Sequence, residues 1–262
     1  MKRLSRLRRH RAAGPVLLIF ALFTIGTTFQ VASAVNQENA TVQSRSAAIA
    51  EGKEIFLRGC SSCHGLNAEG QEIAPSLIGV GAASVDFQVG TGRMPLAAPG
   101  VQAVPKMPTY NAEETAALAA YIATLGAGPG IPTAEMLDTT NAELALGGEL
   151  FRTNCAQCHG ATAVGGALSE GRKAPSLMNA DAKNLYEAMV SGPQSMPVFA
   201  DSTLSVEDKK HIIAYVTELQ ANKSPGGFSL GRQGPVTEGL FIFVVGLGVL
   251  IVAAVWIGAK AK

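Results

Sequence analysis

Two copies of the pattern Cys-x-x-Cys-His constrain this chain more than any other feature. They are Cys60-Ser61-Ser62-Cys63-His64 and Cys155-Ala156-Gln157-Cys158-His159, and together they use all four cysteines. Each lies in a longer repeat. Gly52–Gly65 (GKEIFLRGCSSCHG) and Gly147–Gly160 (GGELFRTNCAQCHG) are identical at 7 of 14 positions, at an offset of 95. Ala74-Pro75-Ser76-Leu77 recurs as Ala174-Pro175-Ser176-Leu177, and Asn111–Leu125 corresponds to Ser205–Leu219. Self-similarity of this kind marks a duplicated domain, with loops of different length between fixed anchors.

Each unit reads as helices joined by Gly/Pro-rich loops. An amphipathic helix precedes the Cys pair, with Ile49, Phe56 and Leu57 as its apolar face in the first unit and Leu146, Leu150 and Phe151 in the second. A middle helix is predicted near Ser84–Val89 and Ala182–Val190. Final helices begin at Asn111 and Ser205, where Glu114 and Asp208 three residues on complete a capping pattern. Leu118, Tyr121, Ile122 and Leu125 share one face of the first, and Ile212, Tyr215, Val216 and Leu219 one face of the second. Tyr121 and Tyr215 read as packing aromatics, and Gly92 and Gly192 as turn glycines. No strand alternation is evident in either unit, so the fold class is all-α. The predicted segments are a basic start with a hydrophobic stretch (1–35), a first domain (46–126), a linker (127–141), a second domain (142–222), a second linker (223–237) and an apolar helix (238–259).

Both ends point to a membrane. Residues 1–11 carry six Lys or Arg and no acid, and residues 12–35 carry no charge. That pairing is either a signal peptide, with Ala32-Ser33-Ala34 as a cleavage site, or a spanning anchor. Gly239–Ala259 is a second uncharged run, followed by Lys260 and Lys262, with Trp256 near the lysine end. Its length matches one spanning helix, and the flanking lysines place the C-terminus inside. Between these ends, 13 basic residues face 20 acidic ones, so the body sums to 13 − 20 = −7. An acidic body excludes a nucleic-acid partner. Four cysteines in 262 residues exclude a disulfide scaffold, and 47% hydrophobic residues exclude disorder as the main state.

The Cys-x-x-Cys-His spacing carries the chemistry. Two Cys at i and i+3 share one helical face, which suits two thioether bonds to one haem, and the adjacent histidine can then sit under the iron as an axial ligand. Two covalently bound c-type haems are therefore expected, on Cys60 and Cys63 with His64, and on Cys155 and Cys158 with His159. Zinc would need both pairs to converge and would leave the histidines unused. A thioredoxin-type pair would need a βαβ context. The sixth ligand cannot be histidine for both irons, because only His10 and His211 remain. His10 lies in the basic tail, and the repeat counterpart of His211 is Ala117. Methionine is the natural alternative and raises the haem potential. Met196 stands in Gly192-Pro193-Gln194-Ser195-Met196-Pro197. Met178 and Met189 read as core residues. In the first unit, Met94 matches by its distance from Pro75, and Met107 by its local Met-Pro-x-aromatic sequence. No nucleophile constellation or phosphate loop is present, so no catalytic residue is expected.

The whole chain resembles the dihaem cytochrome c subunit of the actinobacterial cytochrome bcc complex, a quinol–cytochrome c reductase. The likeness covers the basic start, both Cys-x-x-Cys-His units, Thr91-Gly92-Arg93-Met94-Pro95, the Met196 loop, Pro225-Gly226-Gly227 and Trp256-Ile257-Gly258-Ala259. It implies two tandem class I cytochrome c-type domains, with His64 paired to Met94 and His159 to Met196. It also implies partners: a cytochrome b subunit, a Rieske iron–sulfur protein and an aa3-type cytochrome c oxidase, at the plasma membrane with the haem domains outside. A tethered dihaem carrier for another oxidase or reductase is the alternative. A dihaem peroxidase is disfavoured, because it needs one displaceable ligand and both units carry a Met-Pro loop.

Overall fold

The computed structural model describes residues 13–98, 100–222, 230–232 and 235–260. The basic start and most of the 223–237 linker therefore lie outside the described residues. In chain order the helices are α1 Ala13–Gly59, α2 Ser61–His64, α3 Gly81–Gly90, α4 Ala112–Ile122, α5 Ala134–Leu137, α6 Leu144–Asn154, α7 Ala156–His159, α8 Ala182–Ser191, α9 Val206–Ala221, α10 Pro235–Phe241 and α11 Leu247–Lys260. A π-helical turn, Ile242–Gly246, joins the last two. The all-α expectation holds, with one small departure. Gly166–Ala167 (β1) and Lys173–Ala174 (β2) pair antiparallel, and strands of two residues are too short for sequence alternation to register.

Helix α1 is the first surprise. The hydrophobic stretch and the helix ahead of the first Cys pair are one continuous helix of 47 residues. At 1.5 Å per residue it is about 70 Å long. No Gly or Pro occurs from Thr27 to Glu51, so nothing in the sequence interrupts it. Its apolar N-terminal part, Ala13–Gln30, and the later segment Thr237–Ala259 are both long and apolar enough to cross a membrane. Neither is covered by the other described residues. A core helix would be covered, so this exposure agrees with the spanning reading of the C-terminal run.

In each domain the first and last helices cross at a glycine. A Cβ on Gly52 would lie 1.9 Å from the Ala117 carbonyl oxygen, and one on Gly147 would lie 2.1 Å from that of His211. This close approach seats Phe56 against Tyr121 and Phe151 against Tyr215, with ring centroids 5.5 Å apart in both pairs. Both tyrosines thus serve as the expected packing aromatics. Phe56, Leu118 and Ile122 fill the first core, and Phe151, Ile212, Ile213 and Val216 the second. Both predicted capping boxes are present, Asn111 with Glu114 and Ser205 with Asp208. Leu57 corrects one expectation. It is 42% exposed, whereas Ile55 and Phe56 are buried. The buried stripe is Gly52, Ile55, Phe56, spaced i, i+3, i+4, and Leu57 falls about 100° beyond it.

The two domains meet through their middle helices, α3 against α8. Lys183 of α8 pairs with Asp86 of α3. Beside them Glu187 is fully buried. Burial, reinforced by the negative Asp86, pushes the Glu187 carboxyl up to about 9. Within the linker, Met136 and Leu137 of α5 pack against the second core.

Candidate functional site

The Cys-x-x-Cys-His segments are built identically. The long first helix of each domain stops one residue before the first cysteine, and a one-turn helix comes next. The His64 N–H bonds to the Cys60 carbonyl at 2.9 Å, and the His159 N–H to that of Cys155 at 2.9 Å. This i to i+4 turn places both cysteines and the histidine around a single helical turn. None of the four cysteines is in a disulfide. Burial, with the neighbouring cysteine second, raises the Cys60 and Cys155 thiols to about 11. Such thiols are poor thiolates, unlike the activated pair of a thioredoxin-type site. Among the described residues, no group of three or more His, Cys, Asp or Glu converges as a metal cluster would require. The zinc alternative therefore loses its geometry.

The loop after each histidine gives a role to the repeated Ala-Pro-Ser-Leu, which spacing alone left unexplained. This loop turns back on itself, with the Gly70 N–H on the His64 carbonyl and the Gly165 N–H on that of His159, both at 2.7 Å. A second bond ties Leu77 to Ala68 and Leu177 to Ala163, both at 2.8 Å. The result carries the carbonyl of Pro75 to 2.8 Å from His64 Nδ1, and that of Pro175 to 2.9 Å from His159 Nδ1. A carbonyl only accepts, so each Nδ1 carries the proton and donates. In the neutral ring Nε2 is then the unprotonated nitrogen, and the ring is held by the bond on the other side, which is how histidine is oriented toward a metal. Burial also lowers the His159 pKa, opposed by the Pro175 bond, which favours the neutral ring. His211 has other work: its Nδ1 accepts the Glu143 N–H at 2.8 Å, ahead of α6.

The methionines separate by environment. Met94 is half-buried against the same first core as Cys60, and Met196 against the same second core as Cys155. Met107 is 88% exposed. Met189 is buried and Met178 is packed on the second core, as expected of gap-fillers. Gly92 and Gly192 open the Met94 and Met196 loops at φ 70° and 59°, the left-handed region that favours glycine. The Lys106 ammonium then closes the first loop by donating to the Gly92 carbonyl at 2.6 Å and to the Pro95 carbonyl at 2.5 Å. Its role could not be read from sequence, because a lone lysine in a loop looks solvated.

The donor set thus fits a c-type haem in each domain: two thiols one turn apart, an imidazole oriented through its far nitrogen, and a thioether from a separate loop against the same core. The two Cys-x-x-Cys-His motifs fit two covalent haems. Comparison with known proteins agrees. A family described as cytochrome c matches residues 49–126. A second, described as cytochrome c oxidase, cbb3-type, subunit III, matches residues 142–216. Three relatives bear the name cytochrome bc1 complex cytochrome c subunit. That of Corynebacterium efficiens is 42% identical, over 100% of this chain and 93% of the relative. That of Corynebacterium diphtheriae is 41% identical, over 99% and 98%. That of Mycobacterium leprae is 43% identical, over 94% and 87%. With paired cytochrome c domains between two apolar helices and likeness along its whole length, the chain belongs to the family of cytochrome c subunits of the cytochrome bc1 complex.

Proposed function

We propose that the chain is the membrane-anchored dihaem electron-transfer subunit of a quinol-oxidising respiratory complex. Electrons enter from a Rieske iron–sulfur protein, cross its first and second domains in turn, and leave to an aa3-type cytochrome c oxidase. A cytochrome b subunit completes the assembly in the plasma membrane, with the two domains on the extracytoplasmic side. When bound, each haem supplies a one-electron iron couple. The chain's own residues do the rest. Cys60, Cys63, Cys155 and Cys158 attach the groups. His64 and His159 supply one axial ligand each, oriented by Pro75 and Pro175. Met94 and Met196 supply the other.

The observation that carries the reading is the repeated His–carbonyl arrangement in two domains packed against each other, in a chain with an apolar helix at its C-terminal end. A carrier tied to a membrane cannot diffuse as a free shuttle, so its donor and acceptor must lie within reach. Tethering raises effective concentration, and modest contacts then suffice. The lysines flanking the last helix support the assigned side of the membrane. Deletion of residues 236–262 tests the reading. Quinol-driven oxygen uptake by membranes is expected to collapse. Uptake unaffected by the deletion would favour a mobile carrier instead.

A further inference from the structure

The two units differ most between the methionine loop and the last helix. Met94 stands 17 residues before its helix cap, Asn111, whereas Met196 stands 9 before Ser205. The extra residues of the first domain reach across to the second. The Gln102 side chain donates from Nε2 to the Lys173 carbonyl at 2.7 Å and accepts the Lys173 N–H on Oε1 at 3.0 Å. Its neighbour Ala103 is buried and makes the reciprocal contact. Its N–H donates to Gln194 Oε1 at 2.9 Å, and its carbonyl accepts from Gln194 Nε2 at 3.0 Å. Each primary amide therefore satisfies both backbone groups of one residue, a two-bond fork that fixes orientation as well as distance.

The places these forks grip are particular. Lys173 lies two residues before Pro175, whose carbonyl holds His159. Gln194 lies two residues before Met196. Arg172 donates to Ser195 Oγ at 2.9 Å and ties these two second-domain loops to each other. At the other end of the same segment, Lys106 clamps the Met94 loop. One stretch of the first domain thus touches the supports of both axial ligands in the second domain and of the methionine in its own.

We propose that residues 100–106 are a coupling strap, in which Gln102 and Gln194 are positioning residues that set the second domain's His159 and Met196 loops from the first domain. The inference rests on the ligand assignment under Proposed function. The strap fixes the second domain's ligand field from outside that domain and holds the two centres in one relative placement. Removing Gln102 leaves the N–H and carbonyl of Lys173 without their side-chain partner.

The test uses full-length, haem-loaded protein in mild detergent, as Gln102→Ala and Gln194→Ala variants. Spectroelectrochemical titration resolves the two midpoint potentials, which are assigned with a Met94→His reference that perturbs the first domain. Gln102→Ala is expected to shift the second domain's potential and leave the first domain's in place, although the substitution is in the first domain. Amide exchange in the peptide spanning 173–175 is expected to quicken about tenfold, the scale for losing a hydrogen-bonded fork of roughly 1.4 kcal/mol. A second-domain potential equal to wild type in both variants overturns the strap. That failure leaves the electron-transfer reading standing, because the latter is decided by oxygen uptake after deletion of residues 236–262.

Discussion

The helix crossing in the second domain makes a quantitative prediction about two adjacent glycines. An alanine Cβ at Gly147 would lie 2.1 Å from the His211 carbonyl oxygen, 2.7 Å from its carbon and 3.1 Å from Tyr215 Cβ. Real Cβ atoms essentially never come within 3.0 Å, and the obstacle is backbone, so α6 and α9 must part by about 1 Å. A gap of that size forfeits a quarter to a half of each dispersion contact it opens. Those contacts belong to Phe151, Ile213 and Val216, all fully buried. Overpacking of this kind costs about 3 kcal/mol at the upper end of its usual range. Replacing a helical glycine returns about 1 kcal/mol of propensity. Gly147→Ala should therefore destabilise the second domain by about 2 kcal/mol, a midpoint fall of roughly 8–16 °C for a domain of this size. Gly148→Ala is the control. Its Cβ would meet only side chains, Tyr215 Cε2 at 3.0 Å and Arg152 Nη1 at 3.1 Å, which can give way, so it should be within about 1 kcal/mol of wild type. Scanning calorimetry of the detergent-solubilised protein measures both. If Gly147→Ala melts at or above wild type, as Gly148→Ala is allowed to, the crossing is not held by that close approach.

The remaining predictions concern protonation and ligation. The folded protein holds the Glu187 proton up to about pH 9, far above the usual 4.5 of a glutamate. Between those values the unfolded chain releases the proton and the folded chain does not. Glu187's contribution is thus intact below about pH 4.5, is lost progressively as pH rises toward 9, and stays lost above that. Glu187→Gln should raise the thermal midpoint at pH 8 more than at pH 5; an equal effect at both would place no proton there. Asp86, Lys183 and Asp181 are the charges around it, so Asp86→Asn should reduce the same slope. Met94→Leu should abolish one of the two Met–iron near-infrared bands, whereas Met107→Leu should leave both, because Met107 is 88% exposed; the opposite result reverses the assignment.

Sequence reasoning reaches what is local and periodic. The Cys-x-x-Cys-His turns, the capped last helices and the paired tyrosines all rest on spacings of three and four residues. Residues that act across long separations are invisible to it. The carbonyls of Pro75 and Pro175 lie 11 and 16 residues from the histidines they hold, and a backbone oxygen has no sequence signature. Gln102 and Gln194 meet partners 71 and 91 residues away, and an isolated glutamine reads as a solvated side chain. The continuous α1 escapes for a different reason. A change from apolar to polar composition near residue 36 suggests a boundary, but composition alone does not break a helix that lacks Gly and Pro. Leu57 is misplaced by one residue, which on a helix is 100° and enough to move a side chain from core to solvent. Met94 and Met107 are pulled apart by two signals that disagree: distance from Pro75 selects Met94, whereas the local Met-Pro-x-aromatic sequence selects Met107.

The central claim is that two equivalent centres, each with one histidine and one methionine, lie in a single chain. Near-infrared absorption of the oxidised full-length protein, scaled to its covalently attached haem, tests it most directly. Met–iron intensity for two haems per chain is expected, lost by half in Met94→Leu and by half in Met196→Leu. Intensity for a single haem, or none, in the unsubstituted protein would contradict it.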